Sequence, residues 1–266
     1  MNTRKFTFLS VILSFFMIAC GPGKSTSEES AEAKTEPAPK ITLTDDVPAS
    51  PAYENAKLNL GSMDITKSDD GFNAKFDFEV SDYELGVQTE GATTRGIANS
   101  GKGQHIHFIV NNGPYSAHYA PSFEKPMEEG NYVLLAFLSR SYHESVKNPD
   151  AFWVDAVTVG EPEETLEVDF SAQHMFYSRP KGTYSGADTK KVMLDFYLLN
   201  TEISADGNKV RATINGEEFL ITEWKPMYIN NAPLGELKVK LELIDAAGNL
   251  IPGPFNSVER TVTLAE

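Results

Sequence analysis

Four of the five histidines, His105, His107, His118 and His143, crowd into one short part of the chain, and the fifth is His174. Two of them alternate with large apolar residues in Gln104-His105-Ile106-His107-Phe108-Ile109-Val110. Alternation of this kind is the pattern of a strand, whose every second residue lies on one face. His105 and His107 therefore share a face and stand about 7 Å apart at strand rise. That spacing suits two imidazoles on one metal ion, with His118 and His143 as third and fourth ligands. Zn²⁺ and Cu²⁺ are the ions that such donors favour. The pattern does not require a metal or any other cofactor, because His-x-His also serves to hydrogen-bond a polar patch or an interface. A further chemistry uses the same face together with Arg140, Arg95 and Lys102. These cations and the histidines could grip a phosphate or carboxylate, arginine doing so with two parallel hydrogen bonds.

Nothing in the sequence assembles a catalytic group. Ser139, Ser141 and Ser145 lack a glycine-flanked elbow, and the carboxylates are scattered on solvent faces. The expectation is a binding protein and not an enzyme. Gly96 to Lys102 fits the first seven places of a phosphate-binding loop, but Gly103 stands where Ser or Thr should hold Mg²⁺ and a strand follows instead of a helix. Tyr115, Tyr119, Tyr142 and Trp153 could stack on a sugar or peptide. Tyr115 and Tyr119 match Phe219 and Trp224 further along, however, which makes them core residues.

The elements that must carry these groups are strands. Phe72, Ala74, Phe76, Phe78 and Val80 alternate with polar residues, as do Leu237, Val239, Leu241 and Leu243. The pattern occurs twice. Phe76 to Val80 matches Leu194 to Leu198 at an offset of 118, and His105 to Val110 matches Lys209 to Ile214 at an offset of 104. Tyr132 to Leu138 then matches Leu237 to Leu243, and Val157 to Val159 matches Val262 to Leu264. The fall in offset means that the first copy holds 14 extra residues between Leu85 and His105. An all-β protein of two tandem immunoglobulin-like sandwiches follows. Module 1 covers 53–161 with an inserted loop at 86–104, module 2 covers 162–266, and Glu161 to Glu164 is the joint.

Comparison of the copies separates what the fold needs from what it does not. Module 2 has Lys209, Arg211, Thr222 and Gly248 at the places of His105, His107, His118 and His143. Val210, Ala212 and Ile214 form the core face there, so the histidine face of module 1 points outward. On the neighbouring strand Val133, Leu135 and Phe137 replace Lys238, Lys240 and Glu242. An apolar stripe beside the histidines needs a cover, and docking against module 2 is the expected one, with the inserted loop or a ligand as the others.

The chain begins with Arg4 and Lys5 followed by an apolar run from Phe6 to Ala19, the layout of a secretory signal peptide over 1–19. Met17-Ile18-Ala19-Cys20 resembles the lipobox of bacterial lipoproteins, which implies cleavage before Cys20 and its lipidation. Multiple acyl chains would hold the protein on a membrane. Gly21 after the cysteine resembles the outer-membrane sorting pattern, so the expected location is the bacterial cell envelope at the outer membrane. From Cys20 to Ala52 the composition reads as a flexible linker. Loss of Arg4 and Lys5 with the signal takes the formal charge from −15 to −17. So acidic a body argues against a nucleic-acid partner.

Module 2 resembles the surface modules of many extracellular bacterial proteins. The folded part as a whole resembles envelope lipoproteins that are sometimes labelled phosphopeptide-binding. That resemblance rests on Gly103 to His107, Phe137 to Ser145 and Tyr177 to Gly182. It implies an anionic, phosphorylated peptide or protein ligand on module 1, with His105, His107, His118, Arg140, Tyr142, His143 and Arg179 as the binding residues. The alternatives are a Zn- or Cu-binding envelope protein and a structural or adhesive surface protein with no small-molecule site.

Overall fold

The computed structural model describes residues 40–164 and 166–266. The signal segment, Cys20 and the linker as far as residue 39 lie outside the described residues. Sixteen strands make up the rest. β1 is Thr42–Thr44, β2 Lys57–Ser68, β3 Gly71–Ser81, β4 His105–Val110, β5 Ser116–His118, β6 Ser122–Met127, β7 Gly130–Ser139 and β8 Phe152–Val159. β9 is His174–Arg179, β10 Thr183–Ser185, β11 Lys191–Leu199, β12 Lys209–Ile214, β13 Glu217–Ile221, β14 Met227–Asn230, β15 Gly235–Ile244 and β16 Ser257–Ala265. The helical content among the described residues is two 3₁₀ turns, Ala92–Thr94 and Gly186–Thr189.

Module 1 sets a sheet ordered β2-β3-β6 against one ordered β5-β4-β7-β8. Module 2 repeats the plan, with β11 and β14 beside β9 in one sheet and β13, β12, β15 and β16 in the other. First, second and fifth strands on one side and the remainder on the other is an immunoglobulin-like arrangement. The strands matched by the sequence repeat take equivalent places: β3 with β11, β4 with β12, β7 with β15 and β8 with β16. Local geometry agrees as well. Asn111 Oδ1 accepts the Val133 N–H at 2.8 Å, and Asn215 Oδ1 accepts the Lys238 N–H at 2.8 Å.

Each module has its own core. Phe76, Phe108, Leu134, Ala136 and Leu138 fill the first, and Leu194, Phe196, Val210, Ala212, Leu241 and Leu243 the second. A third apolar layer joins them. Ile109, Val133, Leu135 and Phe137 from the outer face of module 1 pack on Phe176, Tyr197 and Leu199 of module 2. Phe137 and Tyr197 stack with ring centroids 4.8 Å apart. The apolar stripe is thus covered by module 2, which explains why β15, whose outer face meets solvent, has Lys238 and Lys240 instead. A fully buried Asp195 on β11 accepts from the Ser145 N–H at 3.0 Å and from Lys147 at 2.6 Å, tying the modules across the same seam.

The expected flexible linker does not extend to Ala52. β1 pairs antiparallel with β14, so Thr42–Thr44 adds an edge strand to module 2. The following residues then cross to module 1 as a strap. Arg95 donates to the carbonyls of Pro48 at 2.6 Å and Ala49 at 2.8 Å, and Arg140 Nε donates to that of Pro51 at 3.0 Å. The composition of 41–52 is poor in large apolar residues. It is held because its backbone bonds to a sheet edge and to two arginines that no local pattern pairs with it.

Candidate functional site

The end of β4 carries the histidines to a point where three elements meet. His105 and His107 are fully buried, because module 2 covers the face that would otherwise be open. His143 is half-buried on the turn after β7. His105 Nε2 lies 2.9 Å from His107 Nε2 and 3.2 Å from His143 Nδ1. All three nitrogens fall within 4.8 Å of one another, and among the described residues no carboxylate or thiolate joins them.

The second nitrogen of His105 fixes its tautomer. His105 Nδ1 lies 2.8 Å from the Gly103 carbonyl, which can only accept, so Nδ1 carries the proton and Nε2 presents a lone pair. His107 Nδ1 meets the Ser178 hydroxyl of module 2 at 3.2 Å. Such partners on the far side of a ring are what orient imidazoles toward a metal. Two nitrogens face the lone pair of His105 Nε2: His107 Nε2 can donate to it while its Nδ1 accepts from Ser178, and His143 Nδ1 is then left to accept from the Tyr115 hydroxyl. A bound cation would take the place of these internal bonds.

Burial holds all three rings neutral. It lowers His105 to about 4, and pushes His107 and His143 well below the ordinary histidine range. Arg179 and Lys181 act in the same direction. Neutral rings can ligate without first losing a proton. Tyr115 stacks flat on His107 at 3.5 Å between centroids, with its hydroxyl 3.3 Å from His143 Nδ1. Lys181 Nζ lies 4.0 Å from the centre of the same tyrosine ring and donates to the Tyr115 carbonyl at 2.6 Å.

Two glycine-type positions show how the backbone builds the site. Gly103 has φ +87°, and a Cβ there would stand 2.4 Å from the Val87 carbonyl oxygen. Only glycine lets the inserted loop close tightly enough against Val87 to bring the Gly103 carbonyl to His105 Nδ1. The turn 140–144 is the counterpart of 245–249. Arg140 and Asp245 N–H groups donate to Glu144 and Asn249 carbonyls, and His143 and Gly248 N–H groups donate to Arg140 and Asp245 carbonyls. Gly248 has φ +88° and His143 has φ +71°. The fold prefers glycine at this left-handed position, and module 1 places an imidazole there at a conformational cost.

The remaining expected site residues lie elsewhere. His118 pairs with Ile106 across the β4–β5 ladder, so it lies on the core side of its strand, away from His105 and His107. It stacks on Phe123 at 3.4 Å and meets Ser116 Oγ at 2.8 Å. It is neither a third ligand nor part of the cluster. Arg140 is not an open anion grip: it is engaged with Glu144 at 3.2 Å, the Ser145 carbonyl at 2.8 Å and the strap. Arg95 is held by the strap in the same way and lies over the Tyr142 ring at 4.4 Å. Tyr142 is buried there, beside Met193 and Tyr228. Trp153 packs edge-on to Phe78 in the core of module 1, so no aromatic platform forms. Arg179 does lie near the histidines, but it is buried and donates to the Tyr184 hydroxyl. The roles of Gly103, Tyr115 and Ser178 are not legible in the sequence, because each acts across a loop or across modules.

The chain matches no protein-family model and no curated protein. Among solved structures it is similar to the fibronectin(III)-like modules of Clostridium thermocellum CbhA, at 12% identity and a TM-score of 0.27, over 78% of this chain and 94% of that one. It is also similar to the tandem V-type regions of the v-region-containing chitin binding protein VCBP3, at 8% identity and a TM-score of 0.22, over 79% and 99%. A third is SGBP-B of the Bacteroides ovatus mixed-linkage glucan utilization locus, in complex with a heptasaccharide, at 10% identity and a TM-score of 0.23. That likeness covers 78% of this chain and 47% of the other. Similarity of this degree carries no argument about ligand or activity.

Proposed function

We propose that the protein is a lipid-anchored binding protein of the bacterial cell envelope whose first module holds one transition-metal ion on His105, His107 and His143. The observation that carries this reading is the convergence of three neutral imidazole nitrogens, two of them 2.9 Å apart and all within 4.8 Å of one another. The anchor rests on the signal layout and the lipobox at Cys20. The ion would approach past His143, the one ring of the three that reaches the surface.

An anionic peptide was the other ligand class that the same residues suggested. The metal reading stands ahead of it because Arg95 and Arg140 are pinned to strap carbonyls and Arg179 is buried against the Tyr184 hydroxyl, its Nε without a partner. The test is metal analysis of full-length protein purified without chelators, followed by melting of the chelator-stripped protein with and without Zn or Cu. About one equivalent per chain and a higher melting temperature on adding metal are expected. No bound metal together with no stabilisation by either ion ends the reading.

A further inference from the structure

We propose that the groove at the seam between the two modules is a second binding site, and that its ligand is a neutral oligosaccharide chain. The groove shares no residue with the histidine cluster and does not depend on a metal there.

The groove lies where the residues before β8 and the start of β8 face the end of β11 and the loop after it. Docking buries much of the outer face of β11 but leaves this end of the seam open. The groove has a volume of about 880 Å³. Small-ligand sites span about 300–1,000 Å³ and often lie between domains. Phe152 from module 1 and Phe170 and Trp224 from module 2 line it with half-buried rings, beside the buried ring of Tyr197. None of these is an aromatic that the sequence offered as a stacking residue. Their positions are held. Trp224 Nε1 donates to the Phe196 carbonyl at 2.9 Å, and Asn200 Nδ2 ties down the Phe170 segment through the carbonyls of Phe170 and Ala172. Trp224 stands edge-on to Tyr197 at 87°, and Phe152 leans on the same ring with centroids 5.3 Å apart. Rings fixed in this way form walls that lose little freedom when a ligand enters.

The polar groups select the ligand class. The charged residues lining the groove are Lys147 and Glu202. Lys147 is neutralised by Asp195 at 2.6 Å, so an anion finds no free cation there. The Tyr197 hydroxyl is buried without a partner among the described residues. A purely apolar ligand would leave that hydroxyl unanswered and would desolvate Asn200 and Glu202. Asn200 Oδ1 and the Glu202 carboxylate are acceptors, so the fitting ligand is rich in donors yet has apolar faces. A sugar ring meets both demands. Its hydroxyls point outward along the edge, and the C–H groups of its faces, polarised by the neighbouring oxygens, pack on the negative face of an aromatic ring. A peptide supplies one backbone N–H per residue, which is sparser.

A chain fits better than a single sugar. A second cleft of about 470 Å³ shares Lys147, Asn148 and Trp224 with the groove and is lined on its other side by the strap. The two meet at Trp224, which makes the site elongated.

The test titrates full-length protein with neutral linear hexasaccharides (cello-, laminari-, manno-, xylo- and maltohexaose), read by calorimetry and tryptophan fluorescence. Binding of at least one in the sub-millimolar range is expected. Trp224→Ala should weaken it by about 10-fold, the worth of one stacked ring. Because Trp224 also packs against the core, Glu202→Arg at an exposed position provides a variant that leaves the fold intact and crowds the same groove. Thermal melts establish that each variant is folded, and a loss of affinity in either folded variant supports the site. His143→Gly should bind the sugar as the parent does. Binding of none of the five sugars overturns the proposal, as does sugar binding that neither variant weakens. Binding of a polyproline peptide or a fatty acid in this groove in place of any sugar overturns it as well.

Discussion

Replacing His143 by glycine separates function from folding at the position where the two conflict. His143 and Gly248 occupy the same place in equivalent turns, at φ +71° and φ +88°, and each N–H donates back to the residue three before it. A side chain in the left-handed region costs about 1–2 kcal/mol. Glycine removes that strain but loosens the unfolded chain, at a cost of about 0.5–1 kcal/mol. The half-buried ring also gives up its contacts with His105 and Tyr115. These effects offset one another to within about 1 kcal/mol, so the metal-free variant should melt within about 3 °C of the parent. Metal binding should fall more than 100-fold, since one of three ligands is gone. At a metal concentration 100 times the parent's dissociation constant, the parent gains about 2.7 kcal/mol. His143→Gly should gain almost none of it. Paired thermal melts with and without metal read both effects. A metal-free variant that loses several kcal/mol, or one that keeps the full metal-induced gain, would falsify the assignment of His143 as a ligand.

Three further outcomes test the surroundings of the site. Because burial holds His105 at about 4 while an unfolded histidine titrates near 6.5, the unfolded chain takes up a proton first as pH falls. Stability without metal should therefore drop from about pH 6.5 downward and level off below about pH 4, by about 2 kcal/mol at pH 5 from His105 alone. His107 and His143 act in the same direction. Urea midpoints across this range should fall on acidification, and a flat or rising profile contradicts the buried neutral cluster. Phe137→Ala opens a cavity in the layer between modules and should cost about 3–5 kcal/mol, read as a shifted urea midpoint; a loss under 1 kcal/mol would show that the modules are not docked through this face. Arg140→Ala leaves Glu144 buried without its cation and frees the Pro51 carbonyl, at an expected cost of about 3–5 kcal/mol, with faster proteolysis between residues 45 and 52. Unchanged proteolysis would mean that β1 and Arg95 hold the strap without Arg140.

How far the sequence reaches is clearest on β4. Its alternation, its repeat in β12 and its outward histidine face were all legible, since strand parity is a local property. The apolar stripe Val133, Leu135 and Phe137 also announced a covered face, because charged residues stand there in the second copy. What parity could not convey is that covering this face buries the histidines with it. His118 was misplaced for the converse reason. Its side of the sheet is fixed by the register Ile106 to His118, and register depends on the intervening turn. Arg140 and Arg95 read as free cations because their partners are backbone carbonyls of 48–51, which carry no side-chain signature. His143 is the most informative of these residues. Under the proposed metal reading, a histidine aligned with a turn glycine marks a place where ligation outranks backbone comfort.

The central claim is that three imidazoles share one ion, and X-ray absorption at the metal edge of the loaded full-length protein tests it most directly. The account expects a first shell of nitrogen at about 2.0 Å with the outer-shell scattering of three imidazoles, collapsing in His143→Gly. A shell dominated by oxygen, or one with fewer than two imidazoles, would contradict it.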